Sequence, residues 1–222
     1  MLKLENVCYR YKSGDRDILK NLSYEFEMGK LYSIIGPSGT GKTTLLSIIA
    51  GLARPTEGKL YVDDWDLTEI NLNRYRREKI TMIFQSFHLF PLLTALENVS
   101  YLMETLGIKR KDAEARAGEL LNIVGISEDK YKRYPANLSG GEQQRVAIAR
   151  SLSTGAKLIL ADEPTGNLDL ANSDAIVSIL QNLAYKEEYC VIVVTHNTAI
   201  ADASDVVLHM SDGVIVKTNQ GD

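Results

Sequence analysis

Residues 36–43 read GPSGTGKT and lie between the apolar runs LYSII at 31–35 and TLLSIIA at 44–50. The glycines at 36, 39 and 41 let the backbone curl so that successive N–H groups point at one anion, and the dipole of a following helix adds positive charge there. The stretch fits GxxxxGK(S/T), the pattern of phosphate-binding P-loops. The alternative, a glycine turn before a core helix, is disfavoured by the flanking runs. The sequence therefore predicts a strand, a polyphosphate-binding loop and a helix.

The residues of this loop have predicted contacts with phosphates or with their metal. Lys42 can reach the β- and γ-phosphates, and the Thr43 hydroxyl can ligate Mg²⁺. The predicted nucleotide-binding residues of the loop are Gly36, Pro37, Ser38, Gly39, Thr40, Gly41, Lys42, Thr43 and Thr44.

The composition is that of a globular protein with a substantial core. Of 222 residues, 45% are hydrophobic and 24% charged, so the chain can form one large domain without disulfides. The net charge of −4 argues against nonspecific nucleic-acid binding, and we expect no nucleic-acid partner. Cys8 and Cys190 lie in apolar stretches without metal-ligand spacing, which indicates reduced core thiols in a cytosolic protein. No window approaches about 18 apolar residues and no signal peptide is evident, so we expect any membrane attachment to come through a partner.

Hydrophobic patterning predicts strands and helices along the chain. The expected strands are 2–7, 22–27, 31–35, 59–62, 80–84, 158–161 and 190–194, followed by a hairpin of 206–210 and 214–216. The expected helices are 44–50, 71–79, about 97–106, 112–124, 139–153 and 171–185. Residues 86–99 carry large apolar side chains around a proline without a clear period, so this stretch either packs in a subdomain core or contacts a partner.

The sequence LSGGE at 138–142 opens one of these helices. Ser139 stands at an N-cap position with Glu142 three residues later, as in an ordinary capping box. Gly140 and Gly141 argue against that interpretation, because each glycine in a first helical turn is unfavourable by roughly 1 kcal/mol relative to alanine. Free backbone N–H groups that contact a second phosphate would explain them.

The strand LILA at 158–161 ends in the carboxylates Asp162 and Glu163. Adjacent carboxylates there are unfavourable unless they pair with a cation or take part in chemistry. In a P-loop protein Asp162 would hold Mg²⁺ through water, and Glu163 would orient and deprotonate the attacking water. The alternative is a strand that simply reaches solvent.

Two further residues have both a functional and a structural interpretation. His196 follows the strand 190–194, where a lone histidine is more often structural, but its position in an apparent P-loop sheet favours a catalytic role. Tyr11 could stack on a nucleotide base or pack on the surface.

With these motifs in order, the chain resembles the nucleotide-binding domain of ATP-binding cassette (ABC) transporters over essentially all 222 residues. LSGG is the specific element, since many P-loop NTPases also have a P-loop and a strand that ends in acidic residues. FQSFHLFPLLTALENV at 84–99, LSGGEQQRVAIAR at 138–150 and ADEPTGNLD at 161–169 are similar to the branch of lipoprotein-releasing, macrolide-exporting and antimicrobial-peptide-resistance ATPases.

The resemblance implies an α/β fold: a P-loop NTPase with a RecA-like mixed sheet core, an N-terminal antiparallel β-subdomain and a helical subdomain. Residues 1–222 would form one nucleotide-binding domain, with the helical subdomain inserted at about 86–155.

The resemblance also implies a role for each motif residue. Tyr11 would stack on adenine, and Gln85 would sense Mg²⁺ and the attacking water. Glu163 would be the general base, and His196 would touch the γ-phosphate. The residues expected to contact ATP across a dimer are Ser139, Gly140, Gly141 and Asp169. Glu142 departs from the pattern, because glutamine is commoner there.

The expected function is an ATPase that binds ATP and Mg²⁺, forms a head-to-tail homodimer and drives a separately encoded membrane permease from the cytoplasmic face. Its permease would export or extract a lipoprotein, peptide or amphipathic drug. Phe87 to Leu93 would be the docking surface for the permease; the alternative is internal packing. Competing functions are a signalling ATPase of the same branch that moves no substrate, a soluble cassette protein of translation or DNA repair, and a P-loop kinase, which LSGGE disfavours.

Overall fold

A computed structural model describes residues 1–11 and 16–217 of the chain. The strands in chain order are β1 (Leu2–Tyr9), β2 (Leu19–Phe26), β3 (Leu31–Ile35), β4 (Glu57–Val62), β5 (Trp65–Asp66), β6 (Ile80–Phe84), β7 (Leu158–Asp162), β8 (Cys190–Val194), β9 (Val206–Ser211) and β10 (Val214–Lys217). The helices are α1 (Lys42–Ile49), α2 (Leu72–Glu78), α3 (Ala95–Thr105), α4 (Arg110–Ile123), α5 (Gly140–Leu152), α6 (Leu170–Glu187) and α7 (Thr198–Asp202), with short 3₁₀ turns at Glu128–Lys130 and Pro135–Asn137.

The N-terminal part of the chain forms an antiparallel sheet of order β2-β1-β4-β5. Leu2 of β1 lies opposite Phe26 of β2 on one side and Val62 of β4 on the other. The buried residues of these strands share a hydrophobic cluster with α1. The predicted N-terminal sheet is therefore confirmed, with β2 beginning three residues before the expected position.

In the described part of the chain, the second sheet has six strands in the order β10-β9-β3-β8-β7-β6, and only the terminal β10 is antiparallel to its neighbour. β8 is buried throughout, and β3 and β7 are buried except for their last residues. Continuous apolar runs of this kind are typical of parallel strands covered on both faces. The fold class is as the resemblance implied.

The parallel strands bring the predicted motifs to one edge of this sheet. Phe84 at the end of β6 lies opposite Asp162 of β7, which in turn lies opposite Val194 at the end of β8. The P-loop leaves the neighbouring β3 at the same edge. Ligands of open α/β sheets bind at the carboxyl ends of the strands.

Helices α3, α4 and α5 contribute to a second hydrophobic cluster, which they share with α6 and with one face of the parallel sheet. Helix α3 begins two residues before the expected position because Thr94 and Glu97 form a capping box there. The bounds 86–155 for a helical subdomain stay a prediction.

Both cysteines are free and lie in strands, but only Cys190 is buried, whereas Cys8 is partly exposed. Across residues 1–11 and 16–217, no helix combines the length and apolar character needed to cross a membrane.

Candidate active site

The P-loop lies between β3 and α1 and is packed closely against β9. A Cβ atom at Gly36 would lie 2.2 Å from the backbone oxygen of Met210, so only glycine fits at this position. Gly41 has a φ of 106° and is the N-cap of α1, with no side-chain capping hydrogen bond. The first N–H groups of α1 are therefore available to an anion, as the sequence predicts.

The side chain of Lys42 folds back across the loop. Its Nζ donates hydrogen bonds to the backbone oxygens of Gly36, at 2.7 Å, and Pro37, at 2.8 Å. The ammonium group is thus held against the backbone of the loop that is predicted to bind a polyphosphate.

A cleft of about 410 Å³ opens beside the loop. It is lined by Tyr11, Ile18, Ser38, Gly39, Gly41, Lys42, Thr43, Thr44, Asp162, Glu163 and Val194. The hydroxyl of Tyr11 lies 3.0 Å from the Thr44 Oγ1, and its ring packs edge-on against Tyr9 with the ring centres 5.0 Å apart. Tyr11 therefore joins the phosphate-binding residues at one cleft, as its predicted contact with a base requires.

The cleft also offers oxygen ligands of the kind that Mg²⁺ prefers. The Thr43 hydroxyl and the Asp162 carboxylate both line it. Burial, and then the negative charge of Glu163, raise the pKa of the Asp162 carboxyl above its usual value, while Lys42 opposes them. A bound cation would relieve this unfavourable charge, so the donor set fits a magnesium ion.

Gln85 follows β6 at the same sheet edge, where it forms hydrogen bonds with Asn167. Its Nε2 donates to Asn167 Oδ1 at 3.1 Å, and Asn167 Nδ2 donates to the Gln85 backbone oxygen at 3.2 Å. Gln85 does not line the cleft in the described part of the chain. Its predicted contacts with Mg²⁺ and water stay predictions.

Glu163 and His196 are in direct contact. Nδ1 of His196 lies 2.7 Å from Oε1 of Glu163, and Oε2 of Glu163 accepts a hydrogen bond from the Thr195 hydroxyl at 3.2 Å. Glu163 has a φ of 47°, a left-handed conformation that is unfavourable for a residue with a side chain. The turn after β7 therefore holds the predicted base in an unusual backbone geometry, aimed at the end of β8.

The start of α5 corrects the interpretation of LSGGE. Ser139 and Glu142 form a capping box, in which Glu142 Oε2 accepts from Ser139 N at 2.8 Å and Ser139 Oγ accepts from Glu142 N at 3.3 Å. The inference that the two glycines argue against an ordinary capping box was wrong. Gly141 has a packing reason, because a Cβ atom there would lie 1.9 Å from Oδ1 of Asn172.

Among the described residues, nothing packs closely enough against Gly140 to require a glycine there. A Cβ atom there would meet its nearest neighbours, Leu168 and Phe87, at 3.7 and 3.8 Å, which is ordinary contact. Ser139 and Gly140 are exposed, and within residues 1–11 and 16–217 none of Ser139, Gly140 and Gly141 lines the P-loop cleft of its own chain.

Asp169 caps α6. Its Oδ1 accepts from Asn172 N at 2.9 Å, and hydrogen bonds from the backbone and side chain of Asn172 hold the pKa of the Asp169 carboxyl below its usual value. The helix consequently begins at Leu170, one residue before the expected start. The predicted contact of Asp169 across a dimer stays a prediction.

Gln144 is a residue that sequence reasoning missed. It is fully buried on α5, and its Nε2 donates to the backbone oxygens of Phe84 at 3.3 Å and Pro164 at 2.8 Å. These residues directly precede Gln85 and directly follow Glu163. The available signal was a glutamine on the apolar face of a helix, which needs a polar partner.

Comparison with known proteins identifies the family to which the chain is similar. Residues 19–166 match the family described as ABC transporter. The uncharacterized ABC transporter ATP-binding protein YclH of Bacillus subtilis (strain 168) is 43% identical over 213 residues, which cover 96% of this chain and 94% of YclH. The lipoprotein-releasing system ATP-binding protein LolD 1 of Chlorobium chlorochromatii (strain CaD3) is 41% identical over 227 residues, which cover 99% of this chain and 92% of LolD 1.

A solved structure extends the similarity to the fold. The ATP-binding cassette MJ0796 of Methanocaldococcus jannaschii, in a dimeric post-hydrolysis state bound to ADP and Pi, matches with a TM-score of 0.87 and 38% identity over 100% of both chains. The family match spans more than half of this chain, and the relatives span nearly all of it. The chain therefore belongs to the ABC transporter family, as an ATPase subunit that uses ATP and Mg²⁺.

Proposed function

We propose that two copies of this chain enclose two ATP molecules and hydrolyse them to drive a separately encoded membrane permease. The observation that carries the proposal is the position of Ser139 and Gly140, which are exposed and lie outside the described lining of their own P-loop cleft. A nucleotide that these residues contact must then belong to a second subunit. The dimeric MJ0796 cassette with ADP and Pi supports this arrangement.

Each composite site would divide the work between the two subunits. The P-loop of one subunit binds the triphosphate, and Ser139, Gly140 and Gly141 of the other close over it, with Asp169 beside them. Tyr11 stacks on the adenine. ATP favours the closed dimer, and loss of the γ-phosphate releases it.

Hydrolysis would depend on Glu163, His196, Lys42 and Gln85 of the P-loop subunit. Glu163 takes a proton from the attacking water, His196 touches the γ-phosphate, and Lys42 neutralises its charge. Thr43, Asp162 and Gln85 would hold Mg²⁺, which supplies charge neutralisation and orientation of the γ-phosphoryl group when bound.

The permease would dock on the segment from Phe87 to Leu93. A groove of about 360 Å³ lies beside this segment, lined in part by Phe87, Phe90 and Tyr101. Leu92 is 86% exposed and Phe90 45% exposed, whereas Leu89 packs against the core. Some side chains of this segment therefore pack internally, whereas others are exposed. The exposed ones offer an apolar surface for a cytosolic helix of the permease.

Polar side chains hold this segment in place. Arg150 of α5 donates to the backbone oxygens of His88 and Phe87 at 2.6 and 3.1 Å. Asn98 of α3 donates to the backbone oxygens of Phe90, Leu93 and Thr94 at 2.9–3.1 Å. Because Gln85 precedes the segment, a change at the nucleotide would be transmitted to the docked permease and move it.

The cargo that we propose is a lipoprotein, peptide or amphipathic drug that the permease exports or extracts. The similarity to LolD, which belongs to a lipoprotein-releasing system, supports this class. The chain would then act on the cytoplasmic face of the membrane, attached through its permease.

A complementation experiment tests the composite site. Lys42→Ala removes the P-loop function of one copy, and Gly140→Asp adds a negative charge where the other copy would meet the triphosphate. Each variant alone should be inactive, and an equal mixture should recover at most about a quarter of wild-type hydrolysis, because half of the dimers contain one intact site of two. A mixture as inactive as its components would contradict the shared site.

The docking surface has its own test. Phe90→Ser with Leu92→Ser should leave hydrolysis by the isolated protein and its melting temperature unchanged, and should abolish co-purification with the permease from membranes. Tyr134→Ser, which alters another exposed apolar side chain, is the matched control and should still co-purify with the permease. Normal co-purification of the double variant would contradict the docking surface.

A further inference from the structure

The carboxylate of Glu142 uses both of its oxygens at the start of α5. Oε2 accepts the Ser139 N–H at 2.8 Å, and Oε1 lies 2.6 Å from Nζ of Lys130. Lys130 comes from the 3₁₀ turn Glu128–Lys130, in the connector between α4 and α5. The side chains are largely shielded, with 14% of Glu142 and 28% of Lys130 exposed.

Glu142 is negatively charged at neutral pH. The hydrogen bond from Lys130, followed by that from the Ser139 backbone, lowers the pKa of its carboxyl below the usual value. Among the described residues, Lys130 is the one cation that forms an ion pair with it.

This charge lies at the place where the proposed function brings a triphosphate. If Ser139 and Gly140 contact the ATP of a second subunit, the carboxylate bonded to Ser139 comes close to the phosphates. The negative charges of the Glu142 carboxylate and of the phosphates would repel each other in a partly desolvated interface. Neutral glutamine would avoid this repulsion, whereas the glutamate requires a compensating cation.

We propose that Lys130 is a positioning residue for ATP-driven dimerisation, because it neutralises Glu142 and so lets the start of α5 accept the triphosphate bound to the partner. The inference rests on the proposed function. Its alternative is that the ion pair only fastens the connector to α5.

The two roles differ in what rescues the loss of Lys130. Lys130→Ala leaves an uncompensated carboxylate and also removes the fastening. Adding Glu142→Gln removes the carboxylate while keeping a side chain that can complete the capping box, but it does not restore the fastening. Rescue by Glu142→Gln is therefore expected only if charge compensation is the function of Lys130.

The experiment measures the ATP concentration that gives half-maximal dimerisation, by sedimentation velocity, in a Glu163→Gln background that retains bound ATP. Lys130→Ala should raise this concentration about tenfold in about 50 mM salt, and the effect should shrink in about 1 M salt, where charges are screened within about 3 Å. Lys130→Arg and Lys130→Ala/Glu142→Gln should restore the parental value. Lys132→Ala is the matched control, since Lys132 is exposed and forms no ion pair among the described residues.

The outcomes separate the two proposals. If the Glu163→Gln parent does not dimerise with ATP, the proposed function fails. If the parent dimerises and Lys130→Ala does so at the same ATP concentration, or if Glu142→Gln gives no rescue, the role of Lys130 is overturned. ATP binding to the monomer and the melting temperature, measured for every variant, identify any loss that comes from misfolding.

Discussion

Nδ1 of His196 lies 2.7 Å from Oε1 of Glu163, so the predicted γ-phosphate contact and the predicted general base meet directly. Thr195 donates to the other oxygen of the same carboxylate. The position of the Glu163 carboxylate is therefore determined by the residues at the end of β8 as well as by its own strand.

Residues that act as a unit lose activity non-additively when they are replaced. Glu163→Gln should lower turnover by about 10²–10⁴-fold while ATP still binds, and His196→Ala added to it should cost little more. The measurement is steady-state hydrolysis with parallel nucleotide binding. Glu69→Gln, at an exposed position outside the cleft, is the control. Independent multiplicative losses would show that the contact has no role in hydrolysis.

Lys42→Ala should weaken ATP binding by about 10²-fold or more, because a charge-assisted contact to the phosphates is removed. Titration calorimetry measures this loss directly. Lys111→Ala, which removes an exposed lysine of α4, should bind ATP normally. Unchanged affinity of the Lys42 variant would refute the P-loop assignment.

The two glycines of LSGG should respond differently to alanine. Gly141→Ala should lower the free energy of unfolding by about 1–3 kcal/mol, because its methyl group would overlap Asn172. Gly140→Ala should leave stability unchanged or slightly higher, since alanine favours helix, yet reduce ATP hydrolysis. Thermal unfolding and hydrolysis are measured side by side. Full hydrolysis by Gly140→Ala would remove the reason for placing ATP at this turn.

Gln144→Leu should reduce kcat about ten- to a hundredfold with little change in KM for ATP. The change removes the hydrogen bonds to the backbone oxygens of Phe84 and Pro164. The adjacent residues Gln85 and Glu163 would then be held less firmly in place. Gln181→Leu is the control, because Gln181 also donates to a backbone oxygen, that of Ala203, away from the cleft. Equal kcat values for the two variants would contradict this role.

Asp162→Asn should raise the melting temperature in nucleotide-free, metal-free buffer at neutral pH. The raised pKa of Asp162 means that the folded state binds its proton more tightly than the unfolded chain, so the ionised carboxylate opposes folding. The difference should stay constant down to the native pKa of Asp162, narrow as the pH falls below it, and disappear near the pKa of an unfolded aspartate, about 3.9. With ATP and Mg²⁺ the order should reverse, because the wild type gains more from binding.

Asp66 supplies the control of opposite sign. Burial raises its pKa, but hydrogen bonds from Lys59 and Thr68 outweigh this and lower it to about 2. Asp66→Asn should therefore lower the melting temperature at neutral pH, and that difference should disappear as the pH falls from about 4 toward 2. If both variants were destabilised at neutral pH, the interpretation of Asp162 would be wrong.

Long apolar runs made most of the fold predictable from the sequence. The bounds of β3, β6 and β8 are those expected, because buried parallel strands are continuous runs with polar residues at their ends. The elements β5 and α7 were missed, since two and five residues are too short to establish a period. Starts of helices moved where Thr94 and Asp169 cap them.

The candidate site was predictable where one short motif supplies the chemistry, as at Lys42 and Thr43. It was not predictable where distant segments meet. The packing of Gly141 against Asn172 and the bridge of Gln144 to two loops depend on tertiary contacts, which leave no local pattern. The sequence contained the capping-box pattern at Ser139. The low helix propensity of glycine nevertheless argued against a capping box, and in the folded protein the box forms despite that propensity.

Gly36 packs against the backbone of Met210 too closely for any side chain, so the C-terminal hairpin supports the P-loop although, among the described residues, none of the hairpin lines the cleft. A destabilising substitution in β9 or β10 should then impair nucleotide binding. In a genetic screen it would resemble a P-loop mutation, although every P-loop residue is intact. Tags or fusion partners appended after the hairpin should accordingly be judged by nucleotide affinity before any effect on cargo is interpreted.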